Sequence, residues 1–235
     1  MLELLRRPLA GRVGVAVVTD RDDGDLHPEH VDADVLRGRQ IALTGALWVM
    51  VDEVHGTDVV IVDDLVTADR PLAGTGDVML TERAESPIAI WAADCAPIAL
   101  FGSNGTALVA AHAGWRGLAD GVLDVAVDAL ESTGATVAAA VLGPCIHGCC
   151  NEFGSADLGR VATGVGAGCD DIAATTEWGT AGLDVPTAVA LGLGRRGVTL
   201  DVVGACTGCD HRFRSHRRRN DRERHALIAW FEEAP

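Results

Sequence analysis

His55, Cys95 and His112 are the three side chains whose types and setting suggest chemistry first. Each stands at the end of a β-prone apolar stretch, respectively Trp48–Val54, Ile88–Ala93 and Thr106–Ala111. Ligands in α/β sheets bind where strands end. Neutral imidazole and thiolate are the ligands a tetrahedral zinc prefers, at about 2.0–2.1 Å and 2.3 Å, and three protein ligands leave a fourth position open for reaction. The same His₂Cys set also suits copper. Cys95 could serve as ligand or as nucleophile. Asp94, next to it, is a candidate proton shuttle or a group that orients the site.

A second feature is His112-Ala113-Gly114-Trp115-Arg116-Gly117, where two glycines let a strand turn tightly into a helix. Arg116 then stands near a helix N-terminus, where free N–H groups favour an anion; the plainer reading is a corner plugged by Trp115. Seven of the 19 basic residues fall between Arg212 and Arg224, including Arg217 and Arg218. That concentration reads as a phosphate or carboxylate clamp, or as a solvated turn balancing acidic neighbours. Cys206-Thr-Gly-Cys209 is half of a metal finger, and the other half could come only from Cys145, His147, Cys149 and Cys150. The expectation is that these five cysteines stay mostly reduced and form no second four-ligand site, leaving one zinc per chain.

The elements that must position these groups alternate in type. Strands are expected at 13–19, 48–54, 59–62, 88–93, 106–111, 137–142 and 198–203. Helices are expected at 31–47, from Gly117 to Leu130, over Val185–Leu193, and over Asn220–Phe231 with Asn220 as N-cap. Leu65–Gly76 reads as a turn-rich connection, and 151–183 as a Gly-rich stretch of weak pattern. No linker or repeat interrupts residues 1–235, so the expectation is one layered α/β domain with a mixed sheet flanked by helices.

Composition narrows the chemistry. The chain is 48% hydrophobic and 23% charged, as in a folded globular protein. It has no Lys, which excludes Schiff-base, P-loop and Ser–Lys chemistry. Arg is left as the only permanently cationic side chain for an anionic substrate. A net charge of −15 disfavours nucleic acid and anionic membrane as partners. No stretch reaches the roughly 18 apolar residues a membrane helix needs. An odd cysteine count without a secretion signal suggests thiols or ligands in a cytoplasmic protein, a monomer or small homo-oligomer.

V-H-G at 54–56, A-D-C-A-P at 93–97, H-A-G-W-R-G at 112–117, L-G-P-C-I-x-G-C-C-x-E at 142–152, C-T at 206–207 and S-H-R-R at 215–218 together resemble the laccase-domain family. Its members are also named polyphenol oxidase, purine nucleoside phosphorylase or peptidoglycan editing factor. The resemblance runs from about Gly14 to Trp230. It implies a single layered α/β domain, with His55, Cys95 and His112 as metal ligands. It also implies that Arg116, Arg217 or Arg218, and Arg21 are substrate-binding residues. Four departures stand out: Thr19 is followed by Asp-Arg-Asp-Asp-Gly without the paired glycines usual around Arg21, His147 replaces a Gly, Asn151 replaces a Tyr, and the segment after Arg217 and Arg218 lacks the usual Asp-Gly. They bear on substrate choice more than on the metal.

Three activities follow from the resemblance. The first is zinc-dependent phosphorolysis of a purine nucleoside, with inorganic phosphate as co-substrate and adenosine deamination as a side activity. The second is copper-dependent polyphenol oxidation. It is disfavoured because a laccase also needs a trinuclear cluster, and the chain has only eight His and no His-x-His. The third is hydrolysis of an amide in a peptidoglycan precursor.

Overall fold

The computed structural model describes residues 1–62, 72–84 and 86–234. At its centre the strands Ala96–Gly102 and Leu108–Ala113 pair antiparallel, with Ala96 opposite Ala113 and Phe101 opposite Leu108. They lie in a six-stranded sheet. Val137–Leu142 and Val202–Val203 extend it on one side, and Val78–Thr81 and Val59–Ile61 on the other. The inner pairs are antiparallel and the two edge pairs parallel, so the sheet is mixed.

Every residue of the two central strands is buried. Successive side chains on a strand point to opposite faces, so an unbroken apolar run requires cover on both. Ile98, Leu100, Val109 and Ala111 pack with Leu118, Val127 and Val189 from a helical layer. Ala99, Phe101, Leu108 and Ala110 pack with Leu227 and Phe231 from a second sheet. That sheet has four antiparallel strands, in the order Leu2–Leu9, Arg12–Val18, His225–Glu233 and Ile88–Ala92. Its outer face buries Leu36 of the helix Ala33–Thr44 together with Trp48. The expected mixed sheet is therefore present, with helices on one face and a second sheet on the other.

Several expectations need correcting. The helix expected over Asn220–Phe231 is the strand His225–Glu233, inserted between two partners. Asn220 does not start a helix; it ends the short helix His216–Arg219 with φ of 55°, a left-handed cap that Asn tolerates. The helix expected between Gly117 and Leu130 is two, Trp115–Asp120 and Val122–Glu131, parted at Gly121 with φ of 92°. Of the strand expected over 198–203, only Val202–Val203 pairs. The weakly patterned 151–183 segment holds the helix Ser155–Val165 and a two-stranded hairpin, Ala173–Thr175 with Ala181–Leu183. The connection expected over Leu65–Gly76 lies outside the described residues as far as residue 71, and Leu72–Thr75 is a strand.

Candidate active site

The three residues singled out at the start converge. The ligand atoms of His55, Cys95 and His112 all lie within 4.8 Å of one another. The Cys95 sulfur is 3.7 Å from His55 Nε2, against an N···S edge of about 3.6 Å in a zinc tetrahedron. The imidazoles meet edge to face with centroids 4.9 Å apart. They arrive by three routes. His112 is the penultimate residue of its strand rather than the residue after it. Cys95 lies on a three-residue link by which the chain crosses from the four-stranded to the six-stranded sheet. His55 follows the strand Met50–Asp52. Because the strands around the site pair mostly antiparallel, the strand-end rule for parallel sheets is not what assembles it.

Backbone geometry marks the same place. His55 has φ of 64° and Asp94 φ of 100°, two of the four non-glycine residues with positive φ among the described residues. Such conformations cost of order 1–3 kcal/mol each and persist where the surroundings enforce them. Gly114 explains one close approach: a Cβ there would lie 2.6 Å from the His55 ring and 3.3 Å from the Cys95 sulfur.

Two carboxylates not read from sequence complete the surroundings. Asp77 Oδ1 lies 2.8 Å from His112 Nδ1. Asp77 also accepts the backbone N–H groups of Val54, His55 and Gly56. With Nδ1 donating to Asp77, His112 presents Nε2 as a lone pair, the arrangement in which a carboxylate fixes the tautomer of a metal-binding His. Glu53 is fully buried, with Oε1 accepting from the Trp91 amide and Oε2 without a hydrogen-bond partner, 3.6 Å from His112 Nε2. An orphaned carboxylate oxygen beside two imidazoles and a thiol is the setting a cation would satisfy. The residues therefore fit a metal. No spacing rule links Glu53 or Asp77 to the ligands, so neither was visible in the sequence.

The buried groups of the site shift one another strongly. Burial pushes the Cys95 thiol up, but His112 and His55 outweigh it and hold it at about 6. Burial pushes the Glu53 carboxyl up to about 8 against the pull of His112. Burial pulls the His112 imidazole down, yet Glu53, Cys95 and Asp77 together raise it well above its ordinary value.

A cavity of about 150 Å³ opens beside Cys95, lined by Asp94, Trp115, Asn151, Phe153, His216 and Arg217 among others. Trp115 and Phe153 meet edge to face at 5.6 Å. Both Asp94 carboxylate oxygens are engaged, Oδ1 by the Thr207 hydroxyl and Oδ2 by the Arg217 amide. That favours its orienting role over proton shuttling.

The expected anion-binding arginines divide. Arg217 lines the cavity, and its guanidinium donates to the Glu152 carbonyl at 2.7 Å. Arg116 is exposed and lies over the Trp115 ring at 4.4 Å. Arg218 is paired with Glu177 at 2.6 Å and covers Trp178. Arg21 is held by Asp221 and the His211 carbonyl. Arg212, Arg214, Arg219 and Arg224 pair with acidic groups or cap backbone carbonyls. Most of the cluster thus holds its own loop together, and only Arg217 of its members lines the cavity. The sulfurs of Cys149, Cys150, Cys206 and Cys209 come within 4.8 Å of one another, and Cys145 is outside the group.

The fold itself is shared with solved structures. A hypothetical protein of Bacillus licheniformis, YfiH, superposes with a TM-score of 0.79 at 21% identity, over 96% of this chain and 98% of that one. YlmD from Geobacillus stearothermophilus gives 0.77 at 24%, covering 96% and 94%. Residues 19–232 match the family model described as multi-copper polyphenol oxidoreductase laccase. The chain belongs to this family.

Among curated relatives, a protein of Streptomyces coelicolor named purine nucleoside phosphorylase is 36% identical over 69% of this chain. A protein of the same name from Mycobacterium tuberculosis is 33% identical over 82% of this chain and 75% of its own length. The match spans 64% of a Streptomyces griseus relative and 66% of the S. coelicolor one. Among the described residues, no helix is long and apolar enough to cross a membrane.

Proposed function

We propose that the protein is a zinc-dependent purine nucleoside phosphorylase, with zinc held by His55, Cys95 and His112. The observation that carries this reading is the cavity, where Cys95 shares one wall space with the aromatic pair Trp115 and Phe153 and with Arg217. Relatives named purine nucleoside phosphorylase support it. When bound, zinc supplies Lewis-acid polarisation.

The chain's own groups account for the rest. Trp115 and Phe153 give flat apolar surface for a base. Arg217 offers a planar, permanently charged fork to phosphate, which a Lys could not copy. In phosphorolysis a phosphate oxygen bonds to C1′ of the ribose as the C1′–N9 bond breaks. The base leaves with the bonding pair and takes up a proton, and ribose 1-phosphate remains. Asp94 holds the Arg217 amide, which fixes where that charge enters. Adenosine deamination is proposed as a side activity of the same site.

The family's description raises copper oxidation as the competing reading, and the His₂Cys donor set suits a single copper. A multicopper centre needs further imidazoles grouped nearby. Among the described residues, the only groups of three or more potential ligands are the His₂Cys set and the four cysteines. The test is to incubate metal-defined protein with adenosine or inosine and inorganic phosphate and to identify the products. Free base and ribose 1-phosphate in equal amounts support the proposal. Their absence with zinc-loaded protein, or quinone formation from phenols with copper-loaded protein at a higher rate, overturns it.

A further inference from the structure

The four cysteines outside the His₂Cys set are placed as ligands are placed. Cys149 lies 3.8 Å from Cys150, 3.7 Å from Cys206 and 3.5 Å from Cys209, sulfur to sulfur, and Cys150 lies 3.5 Å from Cys209. A tetrahedron with zinc–sulfur bonds near 2.3 Å has edges of about 3.8 Å. A disulfide would bring one pair to about 2.05 Å, and all seven cysteines are free.

The backbone is arranged to bring the sulfurs together. Cys145 and Cys206 face each other across a parallel bridge, and Thr207 N–H donates to the Cys145 carbonyl at 2.9 Å. The Cys206 carbonyl accepts from Cys209 and Asp210 N–H, forming a turn that carries both cysteines to one side. The Cys206 sulfur accepts the backbone N–H of His147 at 3.4 Å. An N–H donor on the sulfur suits a thiolate better than a neutral thiol. Gly208 is required at the centre of the turn, since a Cβ there would lie 2.6 Å from Cys150 Cβ and 2.7 Å from its sulfur. Arg219 donates to the carbonyls of Thr207 and Gly208, placing a cation against a site that four thiolates would make negative.

We propose that Cys149, Cys150, Cys206 and Cys209 bind a second zinc ion, a closed four-sulfur structural site distinct from the open His₂Cys site. A site with four protein ligands leaves no position for substrate, so its work is mechanical. It staples the 142–152 loop to the 204–219 segment. The first carries Asn151 to the cavity, and the second carries Arg217, while Thr207 between the paired cysteines holds Asp94.

The experiment is elemental analysis of the full chain, purified with zinc under reducing conditions, beside the variants Cys95→Ala and Cys209→Ser. Two zinc per chain are expected in the unaltered protein and one in each variant. Cobalt replacing zinc in Cys95→Ala should give strong thiolate-to-cobalt charge transfer and tetrahedral d–d bands, both lost on adding Cys209→Ser. If Cys209→Ser fails to fold, Cys209→His, which keeps a ligand, should fold and retain two zinc. The proposal is overturned by a zinc content that Cys209→Ser leaves unchanged, by iron in the four-sulfur site, or by disulfides among these cysteines in place of metal; a single zinc kept in Cys95→Ala and lost in Cys209→Ser would instead count against the His₂Cys reading.

Discussion

Asp77 is a small residue with four tasks: it holds the His112 ring and the N–H groups of Val54, His55 and Gly56. Both imidazoles of the candidate metal site therefore depend on one carboxylate. Asp77→Asn keeps the shape and removes the charge, and a 10- to 100-fold weaker zinc affinity is expected from a partner of this kind. Competition with a zinc-binding dye measures it, and unchanged affinity would show that the ligands orient themselves. Gly114→Ala should act from the opposite direction, pushing the His55 ring by its added methyl. The arginines allow a sharper contrast. Arg217→Ala should cost about 1.5–3 kcal/mol per lost charged hydrogen bond, roughly 10- to 150-fold in phosphate use. Arg218→Ala should cost less than threefold, because Arg218 is paired with Glu177 and stacked on Trp178. Phosphate-dependence curves for the two variants decide this, and equal losses would return both arginines to a structural role. Zinc content should stay unchanged in each.

At the scale of elements, the three residues of the candidate metal site were legible because type and position coincided. His55, Cys95 and His112 each followed apolar residues, and the motifs around them resembled a family. The buried strands Ile88–Ala92 and Leu108–Ala113 were legible in part, since an unbroken apolar run marks burial on both faces without saying what covers them. His225–Glu233 was misread because His-Ala-Leu-Ile-Ala-Trp-Phe carries no two-residue alternation. It lies between two strands with cover above and below, and that is a long-range fact. Asp77 and Glu53 were invisible because their roles exist only once the sheets have packed.

The first residue of that last strand, His225, makes a test by acid. Burial, chiefly, holds its imidazole down to about 4, and its Nδ1 accepts the Arg214 amide. The unfolded chain, with an ordinary histidine near 6.5, binds the proton more readily. Stability from this residue is therefore complete above about pH 6.5 and is lost as pH falls toward 4, by about 3 kcal/mol in all. Urea midpoints measured across that range should fall with pH, and His225→Gln should flatten the slope. An unchanged slope in the variant would assign the acid sensitivity elsewhere.

The whole molecule is layered, and the six-stranded sheet contributes side chains to two cores at once. Ile98 and Leu100 belong to one, Ala99 and Phe101 to the other. Damage on one face should therefore be felt on the other, and residues 1–235 are expected to unfold as a single domain. Phe101→Ala removes a ring packed edge to face on Phe231 at 5.5 Å. A loss of about 3–5 kcal/mol is expected, lowering Tm by roughly 6–20 °C. Calorimetry should show one transition in both proteins, and two separable transitions would divide the chain into independent units. The order of the four-stranded sheet has a consequence for synthesis. Beyond a single bridge to Val49, Ile88–Ala92 pairs along its length with His225–Glu233, more than a hundred residues later. At about 5–20 residues per second, the ribosome leaves that edge without its partner for on the order of ten seconds. Over that interval Ile88, Ala89 and Ile90 are aggregation-prone nascent chain, and a chaperone that shields apolar strands would raise the yield of folded protein most when it acts then.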